Sequence, residues 1–263
     1  MYLTLILGIV EQALWLVVYT AQLVLLGRLA QQGLLRRYRF FALYVGVQVL
    51  EGSLLLWLQR GTSAYGWAYA AFVPVIGLCA TLAVLELHDL VLRDYPGIRS
   101  LARWAITGSL GVALVVAALT LSPDLSNPAE AYPLMRSFHV FQRVLYSALF
   151  LFMLLATAFL LWFPLPLSRN TVLHTVVFLV SFAGRSATLL VRNVGGVELR
   201  LLASSVNLGI AATCLLAWIL FLTRAGEQRM VISGHRWRPS EADRLAEQLD
   251  SINATLLRTA RKR

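Results

Sequence analysis

Ionisable and amide side chains interrupt several long apolar segments of this 263-residue chain, and they fall at one depth. Counted from one end of its apolar segment, each lies seven or eight residues in, which corresponds to about 10–12 Å along a helix. The residues at this depth are Glu11, Glu51, Arg143, Arg185 and Asn207. Because a charge in hydrocarbon is costly, such residues are candidates for a functional site within a membrane.

Two further residues extend this candidate ligand-binding site along the same helix faces. Gln48 precedes Glu51 by three residues and His139 precedes Arg143 by four, so each pair shares one side of a helix. Two acids and two arginines at one depth are expected to pair with each other. The cluster therefore has two interpretations: a polar cavity for a small polar or anionic ligand, or buried ion pairs that only fix helix packing.

A second polar group is expected near the opposite ends of the apolar segments. It comprises Glu86, His88 and Asp89 on one segment and His174 on another. Histidines on two helices can clamp a haem or hold a metal, which makes His88 and His174 the candidate ligands. No motif places two histidines on one helix, so no cofactor is predicted, and an interfacial network of acids and arginines is the alternative.

The elements that must position these residues are membrane-spanning helices. Hydrophobic residues make up 59% of the chain, charged residues only 14%, and the mean hydropathy is +0.71. Soluble domains carry roughly 25% charged residues, so lipid must be the solvent for most of this chain. Apolar segments long enough to cross a bilayer fall near 3–27, 39–59, 66–92, 101–121, 134–163, 171–192 and 200–223. The sequence therefore predicts an all-α, polytopic bundle of seven transmembrane helices over residues 1–223.

The distribution of basic residues predicts the orientation of this bundle. Arginines concentrate in the loops after the first, third and fifth predicted helices, and nine basic residues follow Thr223. The positive-inside rule then places the N-terminus outside and the C-terminus in the cytoplasm of a bacterial-type inner (plasma) membrane. The formal net charge of +10 is accordingly a topology signal, and no nucleic-acid partner is expected.

Residues 224–263 form a predicted cytoplasmic tail that carries a short amphipathic helix at about 240–260. Ser240 is a suitable N-cap, and apolar residues then recur at spacings of four, three and four. These residues are Leu245, Leu249, Ile252 and Leu256. The helix could associate with a second copy, dock into a protein partner, or lie on the anionic inner leaflet of the bilayer.

Three functions are compatible with these features. The first is a receptor-like sensor with a small-ligand site in the outer half of the membrane and a tail that relays or anchors. The second is a small-solute transporter, because helices one to three and five to seven overlay without gaps, as in a 3+1+3 repeat. The third is a non-catalytic subunit of a larger membrane complex, with histidines available for haem or pigment. An enzyme is not predicted, because no nucleophile elbow, zinc motif or phosphate-binding loop occurs.

Overall fold

The computed structural model describes residues 2–58, 62–91, 133–162, 165–194, 197–228 and 230–233, with scattered positions elsewhere. The predicted helix at 101–121 lies outside the described residues, apart from Gly108, Gly111 and Val115, which are helical. The predicted tail helix at about 240–260 also lies largely outside them. Its described positions fall between 244 and 258 and are helical and exposed.

Six long helices account for most of the described chain, which is 92% helical. They are α1 (Tyr2–Gln31), α2 (Arg39–Trp57), α3 (Ser63–Val91), α4 (Pro133–Trp162), α5 (Arg169–Val194) and α6 (Val197–Phe221). A short helix, α7 (Arg224–Gln228), follows α6. All six long helices are apolar and long enough to cross a bilayer, so the chain is a multi-pass membrane protein. The predicted helical, polytopic class is confirmed, and the seven-helix count and the orientation stay predictions.

The six helices pack in chain order as a closed ring. Each contacts its neighbours in sequence, and α1 closes the ring by packing along α6. Glycines allow two of these approaches, because a Cβ on Gly77 would collide with Leu145 of α4, and one on Gly184 would lie 2.7 Å from Ile210 of α6. Helix α7 follows α6 at one end of the ring, which is called the tail end below.

The corner between α1 and α2 lies at the tail end. There a residue of α3 accepts the backbone N–H groups at the start of α2. Helix α1 ends at Gln31, and Gly33, two residues further on, has a φ of 70°, the left-handed conformation that terminates helices. The side chain of Tyr38, the N-cap residue of α2, makes no capping bond. Instead, the Glu86 carboxylate accepts the backbone N–H groups of Phe40 at 2.9 Å and Phe41 at 3.2 Å. Glu86 therefore satisfies the first turn of α2 and places negative charge at its positive end.

An aromatic cluster fills the ring near the tail end. The His174 ring, 1% exposed, lies 4.5 Å from the ring of Tyr38, 4.7 Å from that of Phe41 and 6.0 Å from that of Trp218. Phe178 packs edge-on against both Phe41 and Trp218. These aromatic side chains come from α2, α5 and α6 and from the α1–α2 corner. The tail end of the helix bundle is therefore closely packed.

Two short strands join the tail to the bundle, and the sequence did not predict them. Strand β1 (Leu165–Ser168), between α4 and α5, pairs antiparallel with β2 (Met230–Ser233). Ser168 then begins α5 as a cap, since its Oγ accepts the backbone N–H of Thr171 at 3.2 Å. The start of the tail is thus attached to the bundle by backbone hydrogen bonds.

The Glu227 carboxylate reinforces this attachment by binding three donors from two other segments. It accepts one hydrogen bond from the Tyr38 hydroxyl and a second from Asn170 Nδ2 at 2.6 Å, and it forms an ion pair with Arg37. The neighbouring Gly226 packs so closely on Asn170 that a Cβ there would collide with its side chain. Burial, together with the charge of Glu227, raises the pKa of Tyr38 above its ordinary value, so the phenol stays a donor. We call these four side chains, Arg37, Tyr38, Asn170 and Glu227, the tail lock.

Candidate functional site

A cavity of about 750 Å³ lies inside the ring at the end opposite the tail, which is called the cavity end. All six long helices contribute to its wall, and its volume falls in the range of sites for small organic ligands. On α1 the lining runs from Glu11 to Gln22, a span of about 16 Å along the helix axis. The cavity therefore reaches from the helix ends toward the middle of the bundle.

The cavity brings together six of the seven residues predicted from the sequence. These are Glu11, Gln48, Glu51, His139, Arg185 and Asn207. Arg143 is buried, at 6% exposed, but it is not among the lining residues. Its neighbours Gln142 and Tyr146 line the wall instead, because the face of α4 that meets the cavity lies one residue away from Arg143. That these residues bind a ligand remains a prediction.

The two lining arginines with described contacts both bind neutral groups. Arg185 Nη1 donates to the Tyr146 hydroxyl at 2.9 Å, and its guanidinium carbon lies 5.1 Å from the centre of that ring. Arg192 Nη2 lies 2.9 Å from His139 Nε2. A guanidinium can only donate, so Nε2 must be the acceptor, and His139 is a neutral imidazole with its proton on Nδ1.

The expected ion pairs between acids and arginines do not form among the described residues. The two ion pairs found there, Arg37–Glu227 and Arg39–Glu86, both lie at the tail end. In the cavity, Glu11 accepts a hydrogen bond from Ser204 Oγ at 2.8 Å. Glu51 has no hydrogen bond to any described residue, although it lies within electrostatic reach of Arg185.

Aromatic and amide side chains complete the wall. Trp15 and Tyr19 stack with centroids 5.8 Å apart, and they fit against α2 because a Cβ on Gly52 would lie only 2.8 Å from the Tyr19 ring. Gln22 Nε2 donates to Gln48 Oε1 at 3.1 Å and ties α1 to α2 deep in the cavity. Tyr65, Tyr69 and Tyr146 line other parts of the wall. The cavity therefore combines fixed charges with flat apolar surfaces.

Sequence reasoning missed several lining residues, above all Arg192 and Arg200. Arg192 is the last residue of the predicted segment 171–192 and Arg200 the first of 200–223, and arginines at segment ends are ordinarily topology signals. Helical spacing could have found them, because Arg192 follows Arg185 by two turns, and Arg200, Ser204 and Asn207 recur at four and three residues. That spacing places each set on one helix face.

The second predicted cluster is divided between different surroundings. Glu86 caps α2, as described above, and His174 lies inside the aromatic cluster with no hydrogen-bond partner on either nitrogen among the described residues. His88 packs against Phe152 of α4, with ring centroids 5.7 Å apart. Among the described residues, no group of three or more His, Cys, Asp or Glu side chains could hold a metal ion. The structure thus places the two candidate haem ligands in separate environments.

Comparisons with protein-family models, with curated proteins and with solved structures gave no match. The function must therefore be inferred from the geometry of the cavity and the tail.

Proposed function

We propose that this protein is a receptor-like membrane sensor that binds a small ligand in the cavity. The observation that carries the proposal is a polar cavity built by six helices at one end of a ring whose other end is closely packed. A purely structural polar network would use its hydrogen-bonding groups within the protein. Here Glu51 has no hydrogen-bonding partner among the described residues, and Arg185 and Arg192 bind neutral groups, so each retains capacity for a ligand.

We further propose seven spans, with the cavity end outside and the tail in the cytoplasm of a bacterial-type inner membrane. Glu86, near the end of α3, bonds the start of α2 at the tail end, whereas His139, near the start of α4, bonds Arg192 at the cavity end. The connection from 92 to 132 therefore joins opposite faces of the bundle, which a seventh crossing at the predicted 101–121 would accomplish. The arginine distribution supports the orientation.

The arrangement of α5 and α6 supports a relay from the cavity to the tail. Helix α5 carries Arg185 and Arg192 in the cavity and Asn170 in the tail lock. Helix α6 carries Asn207 in the cavity and leads directly into α7, where Glu227 lies. A ligand that moves either helix would act on the lock, and the tail could then engage a protein partner, a second copy or the bilayer.

Native mass spectrometry of protein extracted gently from its own membranes tests the proposal. We expect a bound small molecule in the unmodified protein and in a Val206→Trp control, because Val206 is 46% exposed on the outside of α6. Ala211→Trp, on the cavity side of the same helix, should abolish the bound mass by filling the space. An empty unmodified protein would count against a ligand-binding role, and stoichiometric partner proteins would favour the subunit alternative.

A carrier is the second candidate, and the ring order favours it. The ring divides into two halves, α1–α2–α3 and α4–α5–α6. Helix α1 contacts α6, and α3 contacts α4, so each half meets the other through its first and third helices. A 3+1+3 repeat would have this property. A flux assay in proteoliposomes separates the sensor from the carrier, with the ligand that mass spectrometry identifies as the solute. Uptake faster than that of the Ala211→Trp variant would establish transport.

A further inference from the structure

From the arrangement of Glu51 and Arg185 we infer that the ligand of the cavity is a zwitterion. Its anionic group would bind Arg185, its ammonium group would bind Glu51, and its apolar body would fill the space beside them. The assignment rests on the proposed ligand-binding function and names the chemical class of the ligand. Both residues line the cavity, and no ion pair joins these two described side chains.

The two residues lie well inside the cavity and on opposite sides of it. Glu51 is six residues before the end of α2 and Arg185 nine residues before the end of α5, which corresponds to about 9 and 14 Å from the cavity end. Helices α2 and α5 are three positions apart in the ring of six described long helices. Each residue is within electrostatic reach of the other. Groups of opposite charge therefore flank the space between these helices.

Arg185 is held in position by a neutral group and keeps donors for a ligand. Its Nη1 donates to the Tyr146 hydroxyl at 2.9 Å, and the guanidinium lies over the Tyr146 ring. Its Nε is buried and has no hydrogen-bond partner among the described residues. A guanidinium has five N–H donors, and a carboxylate or phosphate can accept two of them side by side. Arg185 would therefore bind the anionic group.

Glu51 has no hydrogen bond to a described residue, and aromatic rings pack on the residue that follows it. A Cβ on Gly52 would lie 2.8 Å from the Tyr19 ring and 3.9 Å from the Trp15 ring. These two rings stack with an angle of 3° between their planes, and both line the cavity. A carboxylate pairs with an ammonium group, and the face of an aromatic ring attracts it. This side of the cavity would therefore bind the ammonium group.

Only a ligand with both charged groups satisfies both residues. An anion alone would leave Glu51 without a partner, and a cation alone would leave Arg185 without one, although an uncompensated charge inside a membrane protein is costly. Each residue also repels the ligand group that the other attracts, which adds discrimination. The apolar body would contact side chains such as Leu55, Ile76 and Leu189, which line the same cavity.

Four probes that share a phenyl body test the charge class on the purified full-length protein in maltoside detergent. Phenylalanine is the zwitterion, 3-phenylpropionate the anion, phenethylammonium the cation and 3-phenylpropionamide the neutral analogue. We expect isothermal titration calorimetry to show phenylalanine binding at least roughly tenfold more tightly than the other three, because each of them lacks a charged group. If any of the three binds within tenfold of phenylalanine, the inference is wrong although the cavity still binds ligands.

Two variants assign the two charged groups separately. Glu51→Gln should reduce the preference for phenylalanine over 3-phenylpropionate roughly tenfold, because the ammonium group loses its charged partner. Arg185→Gln should reduce the preference for phenylalanine over phenethylammonium by a similar factor. Glu247→Gln and Arg36→Gln, which replace exposed residues, are the controls and should leave both preferences unchanged.

Preference, rather than affinity alone, distinguishes recognition from a structural role. A purely structural effect of either variant would weaken all the probes alike, and unchanged preferences would overturn the assignment. Glu51→Gln is expected to fold because it removes no hydrogen bond to a described residue, so it tests the inference even if Arg185→Gln does not fold.

A zwitterion can come from solution or from a lipid headgroup, since phosphatidylethanolamine carries an ammonium group and a phosphate. In nanodiscs that contain phosphatidylethanolamine, a lipid ligand would compete with phenylalanine and weaken its binding relative to nanodiscs of phosphatidylglycerol alone. A site for a soluble zwitterion would bind phenylalanine equally in both. If phenylalanine binds neither in detergent nor in phosphatidylglycerol nanodiscs, the inference is overturned. The proposed function is then judged separately, from the mass bound to the unmodified protein and lost in Ala211→Trp.

Discussion

Replacing Glu227 by alanine should release the tail from the bundle. The substitution leaves two buried donors without their acceptor, the Tyr38 hydroxyl and one N–H of Asn170, which is fully buried. Each buried donor left unsatisfied costs about 1–3 kcal/mol, whereas the half-exposed Arg37 pair contributes roughly 0–1 kcal/mol. The two donors and the ion pair together give about 2–7 kcal/mol. Because removing the carboxylate also removes the cost of burying it, we take the lower end, about 2 kcal/mol, as the loss.

Limited proteolysis with trypsin measures this loss directly. Arg224 is exposed, but cleavage after it requires α7 to open, so the cleavage rate reports the population of the open form. A loss of about 2 kcal/mol raises that population roughly 30-fold. Mass spectrometry should therefore show cleavage after Arg224 about 30 times faster in Glu227→Ala.

Two variants make the outcome specific to the tail lock. Glu247→Ala removes an exposed acid further along the tail and should leave the rate unchanged. Glu227→Gln retains an oxygen acceptor for Tyr38 and Asn170. Its cleavage rate should therefore lie between those of the unmodified protein and Glu227→Ala. If cleavage after Arg224 in Glu227→Ala stays within twofold of the unmodified protein, Glu227 does not hold the tail and the reasoning fails.

Three further predictions follow from contacts at both ends of the ring. Glu86→Ala should lower stability by about 1–2 kcal/mol because it uncaps α2, and Glu86→Gln by less because an acceptor oxygen remains; thermal unfolding in detergent measures both. Gly52→Val should displace the Tyr19 ring and change tryptophan emission. Gly46→Val is the control, because no atom lies within 4 Å of its Cβ, and it should leave the emission unchanged. Equal spectra for the two variants would contradict the packing of Tyr19 against Gly52. The raised pKa of Tyr38 means that its contribution to stability is complete below its ordinary value of 10.0 and is lost as the pH rises above it. Between pH 9 and 11 the unfolding temperature should thus fall more steeply in the unmodified protein than in Tyr38→Phe, and parallel curves would refute this.

The bundle could be predicted from the sequence because apolar length is a strong signal. Six of the seven predicted spans coincide with described helices to within a few residues, since a helix must be long enough to cross the hydrocarbon. The β1–β2 ribbon could not be predicted in this way. Its strands have only four residues each, and its pairing joins Leu165 with Ser233, which are separated in the chain by the whole of α5, α6 and α7. Neither length nor local periodicity reports such a contact.

The candidate site could be predicted in its depth but not in its contacts. Counting residues from helix ends identified Glu51, Arg185 and two other lining residues, because depth depends only on the helical rise. Helical spacing then added Gln48 and His139. The rotation of each helix decides which residue faces inward, and apolar spans report rotation poorly. Arg143 and Gln142 are adjacent in sequence, and only the latter lines the cavity. Arg192 was missed because a loop arginine and an arginine at a cavity mouth look alike in the sequence.

The two ends of the ring use the same residue types for opposite purposes, and hydrogen-bonding capacity distinguishes them. At the tail end, Glu86 accepts two backbone N–H groups and Glu227 binds three side chains, so both carboxylates are occupied in holding the fold. At the cavity end, Glu51 has no hydrogen bond to a described residue, and Arg192 donates to a neutral ring. A buried charge held without an opposite partner costs free energy unless something else compensates it. The cavity end therefore contains the groups whose hydrogen bonding and charge a ligand would satisfy. The tail end contains the contacts that a resulting movement of α5 and α6 would change.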